Sequence, residues 1–175
     1  MTLGELNVAG DDNDPKHFNR PTDVAWAPNG DFFISDGYGN SRVHRLDRSG
    51  KHILSWGEPG SDDGQFSLPH NIAMLDDDHV IVCDRENARV QIFDTEGKLL
   101  GQWTDTGHPY GLYLHQGKAF LADGRSGLIR VLDMDGKLLT RWEAGDPKNV
   151  PHWLCLDRAG TMYVGFVYAK KLQKW

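Results

Sequence analysis

The residues from Leu68 to Trp103, LPHNIAMLDDDHVIVCDRENARVQIFDTEGKLLGQW, decide the fold. Their apolar positions come in short runs (NIAML, HVIVCD, ARVQIFD, KLLGQW), each closed by residues that favour turns. LDDDH separates the first two runs and TEGK the last two. Short apolar runs punctuated by Asp, Asn and Gly predict strands in series. In TEGK the glycine supplies positive φ at little steric cost, so the last two runs should form a tight hairpin. A helical period is nowhere sustained along the chain, and almost no α-helix is expected.

Working outward, three further stretches align with the first: RPTDVAWAPNGDFFISDG, HPYGLYLHQGKAFLADG and VPHWLCLDRAGTMYVGFV. Their prolines, with that of the first stretch, are Pro21, Pro69, Pro109 and Pro151, at intervals of 48, 40 and 42 residues. That is the period of a propeller blade. In each unit a proline opens a strand, a turn follows, and a second strand ends near Asp36, Asp84 or Asp123. A third strand, a turn (RSGK, TEGK, MDGK) and a fourth strand ending at Trp56, Trp103 or Trp142 complete the pattern. The expectation is an all-β β-propeller, one domain over residues 1–175, with four-stranded antiparallel blades near 18–57, 66–104, 108–143 and 150–175. The last unit lacks a fourth strand, and the leftover MTLGELNVAG should supply it from residues 2–9 by pairing with KLQKW, closing the ring and shielding an open edge. The tryptophans should pack between neighbouring blades.

DGYGNSRVHRLDRSGKHILSWGEPG, then GQFSLPHNIAML and CDRENARVQIFDTEGKLLGQW, resemble the NHL-repeat family, and within it the bacterial group similar to peptidyl-α-hydroxyglycine α-amidating lyase. The resemblance runs from about Phe18 to Trp175. It implies a six-bladed type of propeller of which this chain looks like the last four blades, whether as a closed ring, an open arc or a truncation. It also implies a zinc site on the propeller axis. His70 and His152 correspond to two of the family's zinc-binding histidines. The third is not found: His108 precedes its proline, and Tyr110 takes the matching slot. Arg42 matches the family's substrate-binding arginine, and no tyrosine here is assigned the catalytic role. Where the lyases carry a cysteine this chain has Gly39, so the disulfide at that point is lost.

The residues alone point to the same place. In a propeller the first strand of each blade lines the channel. Thr22 and Asp23, His70 and Asn71, Tyr110 and Gly111, and His152 and Trp153 should therefore reach one mouth. Imidazole is the commonest side-chain metal ligand, which makes His70 and His152 candidate metal ligands; either can equally hydrogen-bond a neighbouring backbone group. Tyr110, Trp153, Asp23 and Arg85 are candidate ligand contacts. Arg42, Arg85 and Arg89 could equally form ion pairs between blades. No cofactor is fixed: zinc is one candidate, and calcium on Asp23, Asp36, Asp84 and Asp123 is a weaker one.

Composition bounds the partners. Of 175 residues, 39% are hydrophobic and 25% charged, as in ordinary globular proteins. The net charge of −6 argues against nucleic acid, whose phosphates need a basic face. No apolar run approaches a membrane span. The N-terminus has neither a basic start nor an apolar centre, so no signal peptide is expected and the cytoplasm is the default. Cys83 and Cys155, both in apolar stretches, read as reduced core residues. Three readings remain open. One is a scaffold binding a small molecule or peptide. The second is a zinc-dependent lyase of the amidating type. The third is a structural protein that binds another chain, including a second copy.

Overall fold

The computed structural model describes residues 1–144 and 147–175, and their strands form four antiparallel sheets. The first sheet is β1 (Asp23–Trp26), β2 (Phe32–Asp36), β3 (Arg42–Leu46) and β4 (His52–Trp56). The second is β5 (Pro69–Met74), β6 (His79–Asp84), β7 (Arg89–Asp94) and β8 (Leu99–Trp103). The third is β9 (Pro109–His115), β10 (Lys118–Asp123), β11 (Leu128–Leu132) and β12 (Leu138–Glu143). The last holds β13 (Pro151–Leu156), β14 (Met162–Phe166) and β15 (Lys171–Lys174). Within every sheet the strands pair in chain order, the meander expected of propeller blades. A single 3₁₀ turn, Pro147–Asn149, is the helical element among the described residues. The chain divides into two compact units, Met1–Asn87 with Gln91–Gly101, and Ala88–Val90 with Gln102–Trp175.

Burial follows strand position. The second strands are sunk on both faces: β2 and β6 hold Phe32, Phe33, Val80, Ile81 and Val82 almost without exposure. The fourth strands β4 and β8 alternate half-buried and exposed residues, as sheet edges facing water on one side do. In the first unit the core gathers Phe33, Val43, Phe66, Ile72 and Phe93, with Trp56 packed against it. The Trp56 ring lies 6.0 Å from Phe33 in its own blade and 5.6 Å from Phe93 in the next. In the second unit Ile129, Leu154, Leu156, Met162 and Val164 play that part beside Trp142, whose ring meets that of Trp175 at 6.5 Å. Tryptophans at the ends of fourth strands thus wedge neighbouring blades, as their position implied.

One turn recurs with its chemistry intact. Asp47, Asp94 and Asp133 each accept backbone N–H groups two and four residues on through Oδ1. Gly50, Gly97 and Gly136 then take φ of 85°, 80° and 81°. Carboxylate capping and a left-handed glycine make the bend without strain.

Three expectations change. Four sheets are present among the described residues, so the six-bladed description does not fit. The N-terminal stretch is no strand: residues 1–22 form none, and the last sheet has three. Gly4 and Asn7 sit at φ of 77° and 62°, which breaks the extended path that pairing with β15 demands. Met1 and Leu3 instead lie against Gly50 on the first blade. Finally, both cysteines are free, but only Cys83 is buried; Cys155 is half-exposed.

The Gly136 turn yields a test. A Cβ there would stand 2.1 Å from the Trp103 ring, whereas one on Gly160, at φ 86°, meets open space. Gly136→Ala should therefore cost about 2–4 kcal/mol, combining backbone strain with overpacking, and Gly160→Ala only about 1 kcal/mol. Urea denaturation of the two variants measures the difference.

Candidate functional site

The three strands that begin at a proline, β5, β9 and β13, share one irregularity. In β5, Pro69 pairs with Asp84 and Asn71 with Cys83, so His70 is the extra residue of a β-bulge. Tyr110 is the extra residue between Pro109 and Gly111 in β9, and His152 that between Pro151 and Trp153 in β13. A bulge re-aims one side chain without disturbing the strand beyond it. The residue before the proline is strained in three units: Arg20, Leu68 and Val150 hold φ of 61°, 66° and 49°. For β-branched Val150 this is an outlier that the surrounding contacts must enforce.

In the blades of Arg20 and Leu68 the loop is held by a buried carboxylate at the end of the second strand, a device that the third blade shares and the fourth, whose second strand ends at Phe166, lacks. Asp36, Asp84 and Asp123 have no solvent exposure. Asp36 accepts the backbone N–H of Asn19 at 2.9 Å, Asp84 that of Ser67 at 2.7 Å, and Asp123 that of His108 at 3.1 Å. A side chain of the third strand donates to the same carboxylate: Arg42 Nη2 to Asp36 at 3.2 Å, Gln91 Nε2 to Asp84 at 3.3 Å, Arg130 Nε to Asp123 at 3.0 Å. Burial alone would push the Asp36 carboxyl up. The donors around it (Asn40, the Asn19 N–H and Arg42) prevail and hold it below its ordinary value, together with His44, whose Nε2 at 3.9 Å acts electrostatically.

In the first unit these devices bring together a polar cluster. His70, 6% exposed, has its Nε2 2.9 Å from the Tyr38 hydroxyl, with the rings edge to face at 5.4 Å. The Arg85 guanidinium lies 5.6 Å from the Tyr38 ring centroid and its Nε donates to Glu86 at 2.8 Å. Alongside, Asn71 donates to Asp23, which also accepts the Ile72 N–H at 3.3 Å. Burial raises the Asp23 carboxyl above its ordinary value despite those donors. Gly37 makes the approach feasible, since a Cβ there would fall 1.9 Å from the Pro69 carbonyl oxygen. In the second unit Tyr110 and His152 form a second edge-to-face pair at 5.5 Å, and Trp153 beside them is 51% exposed.

The candidates therefore divide. His70 and Arg85 meet around Tyr38, while Asp23 is tied to Asn71 and the Ile72 N–H; Tyr110, His152 and Trp153 belong to the other unit. Arg42 is 1% exposed, and its guanidinium donates to Asp36 and to the carbonyls of Asp14 and His17, each at 2.7 Å for the latter two. A substrate would have to displace those partners to reach it. Among the described residues no three His, Cys, Asp or Glu side chains gather as a metal requires. His70 Nε2 is engaged by Tyr38, and the buried aspartates are filled by N–H donors, so this set does not fit a three-ligand zinc centre or an oxygen cage for calcium. Tyr38 was missed in the sequence. The signal was its place two residues after Asp36, in the loop that must pass the next unit's Pro-His pair.

Residues 18–46 and 66–93 match the NHL repeat model. Over its whole length the chain is 34% identical to peptidyl-glycine α-amidating monooxygenase B of Xenopus laevis, covering 22% of that protein. It is 41% identical over 97 residues, 53% of this chain, to a probable peptidyl-α-hydroxyglycine α-amidating lyase of Caenorhabditis elegans, covering 27% of it. The crystal structure of virginiamycin B lyase from Staphylococcus aureus with quinupristin, in a catalytically inactive form, aligns with 93% of this chain and 53% of that one at a TM-score of 0.73 and 19% identity, which is a likeness of fold. Fold and repeats together define an NHL-repeat β-propeller scaffold. Its homologues include the amidating monooxygenases and lyases just named, of whose length, as with the other curated relatives, it spans between 10% and 55%.

The Asp36–Arg42 pair predicts a response to acid. A carboxyl held below its unfolded value contributes stability that is present above the ordinary carboxylate range and lost as pH falls through the lowered value. Asp36→Asn should make the fall in unfolding free energy below about pH 4 shallower. At neutral pH it should cost about 3–5 kcal/mol, because Arg42 is left buried without its counter-ion. Denaturant titrations across that pH range check both.

Proposed function

We propose that this propeller is a ligand-binding scaffold whose site is the Tyr38–His70–Arg85 cluster, and that its ligand is a small molecule or peptide end bearing a carboxylate. The observation that carries the reading is the convergence of a phenol, an imidazole and a guanidinium from two blades at a half-exposed tyrosine. A guanidinium recognises carboxylates through paired N–H donors. The phenol–imidazole contact can donate or accept beside it, and Asp23 with Asn71 offers further polar contact. Calorimetric titration with short peptides carrying a free C-terminal carboxylate, and with their amidated counterparts, tests this. The free acids should bind, and Arg85→Ala should weaken them about tenfold or more. Equal binding of acid and amide would overturn the reading.

The names of the relatives favour a second reading in which the same cluster acts as a lyase. A peptidyl-α-hydroxyglycine carries a hydroxyl and a carboxylate on one carbon. Arg85 would pair with the carboxylate. The Tyr38–His70 pair would take the hydroxyl proton as the C–O bond becomes C=O and the C–N bond breaks, its electron pair leaving with the nitrogen, which takes up a proton. The products would be a peptide amide and glyoxylate. Glyoxylate release from such a substrate, with and without added zinc, decides it: Tyr38→Phe should lower the rate at least about a hundredfold, and no release under either condition leaves binding alone.

A further inference from the structure

The third and fourth strands of the first blade carry a second polar array, independent of what the Tyr38–His70–Arg85 cluster binds. In β4 the pairing slips at Ile53: Leu46 faces His52 and Arg45 faces Leu54, so Ile53 is the extra residue of a β-bulge. Side chains three apart on a regular strand point to opposite faces. The bulge brings His52 and Ser55 back to one face, where His44 of β3 lies directly across from Ser55. Ser55 Oγ then sits 2.8 Å from His44 Nδ1 and 2.8 Å from His52 Nε2, and the two ring centroids are 5.6 Å apart. His44 is 1% exposed and meets the Phe18 ring edge to face at 5.1 Å, whereas Ser55 is exposed.

The proton positions follow from counting. A hydroxyl has a single proton, so Ser55 donates to one imidazole and accepts from the other. His44 Nε2 is buried without a hydrogen-bond partner among the described residues, 3.9 Å from the Asp36 carboxylate. That negative charge favours a proton on Nε2 and leaves Nδ1 as the acceptor. Ser55 therefore donates to His44, and His52 Nε2–H donates to Ser55. Burial, with His44 and Arg42 nearby, holds the His52 imidazole below its ordinary value and keeps it a neutral donor. A hydroxyl held against an imidazole whose far nitrogen faces a carboxylate is the arrangement that activates a serine.

We propose that Ser55 is a nucleophile that takes an acyl group from a small carboxylic ester, with His44 as its base. Ser55 Oγ attacks the ester carbonyl carbon as its proton passes to His44 Nδ1. His52 Nε2–H, beside the attacking oxygen, donates to the carbonyl oxygen as that becomes negative. The C–O bond to the alcohol then breaks, and the alcohol leaves with the proton that His44 took up. Water attacks the acyl-Ser55 ester by the same route, releasing the acid and restoring the hydroxyl.

The test uses the full chain and diisopropyl fluorophosphate, which loses fluoride to an activated serine and leaves a stable ester, located by peptide mass mapping. Ser55 should be labelled. Ser49, also exposed but bonded to Asp47 at 2.6 Å instead of to an imidazole, should not be. The rate of labelling at Ser55 should fall about a hundredfold in His44→Gln. It should fall about tenfold in His52→Phe, which keeps a ring but removes the N–H. Ser55→Ala, a change at an exposed hydroxyl, should abolish the saturable part of p-nitrophenyl acetate hydrolysis. If His44→Gln does not fold, His52→Phe and Ser55→Ala carry the decision. No adduct on Ser55, equal labelling of Ser49, or unchanged rates in the folded variants overturns the proposal.

Discussion

The buried carboxylate at the end of the second strand in the first three blades is the constraint on which the rest depends. Asp36, Asp84 and Asp123 each tie a third-strand side chain to the backbone of the loop that enters a blade. A carboxylate offers about four lone-pair directions, and burial makes each unfilled one costly. The cheapest way to fill them is to hold the loop where it is. That grip keeps the loop in contortions its residues would otherwise avoid, such as the left-handed backbone at Arg20 and Leu68.

The fourth blade shows what happens without the carboxylate. Val167 stands where the other blades carry on from their aspartate, and its N–H bonds the Val150 carbonyl at 3.3 Å. The bulge at His152 is kept, but a single backbone hydrogen bond now spans the place where a buried anion collected several. The neighbouring strand β15 is exposed along most of its length. Packing there leans on Trp175, Met162 and Phe166.

Much of the fold was legible because its signals are local. The Asp-x-x-Gly turns, the proline before each first strand and the terminal tryptophans act within a few residues and recur in register. The N-terminal stretch misled because it was assigned by the need to cover the open edge at KLQKW, while the left-handed Gly4 and Asn7 are invisible to a pattern of apolar spacing. The candidate cluster was partly legible. His70 and Arg85 follow from the repeat. Tyr38 joins them only through the stacking of one blade on the next, and Arg42 looked available although three separate acceptors hold it inside. Contacts made across the repeat are not written in its period.

The bulge has an evolutionary corollary. His70, Tyr110 and His152 are the extra residues of three equivalent bulges, yet they are two imidazoles and a phenol. The backbone around them is set by proline and, at His70 and Tyr110, a carboxylate, none of which belongs to the variable residue itself. Replacing that residue therefore changes what the protein can hold or transform while barely taxing its ability to fold. Such a scaffold works like a socket repeated three times, in which new chemistry can be fitted one blade at a time.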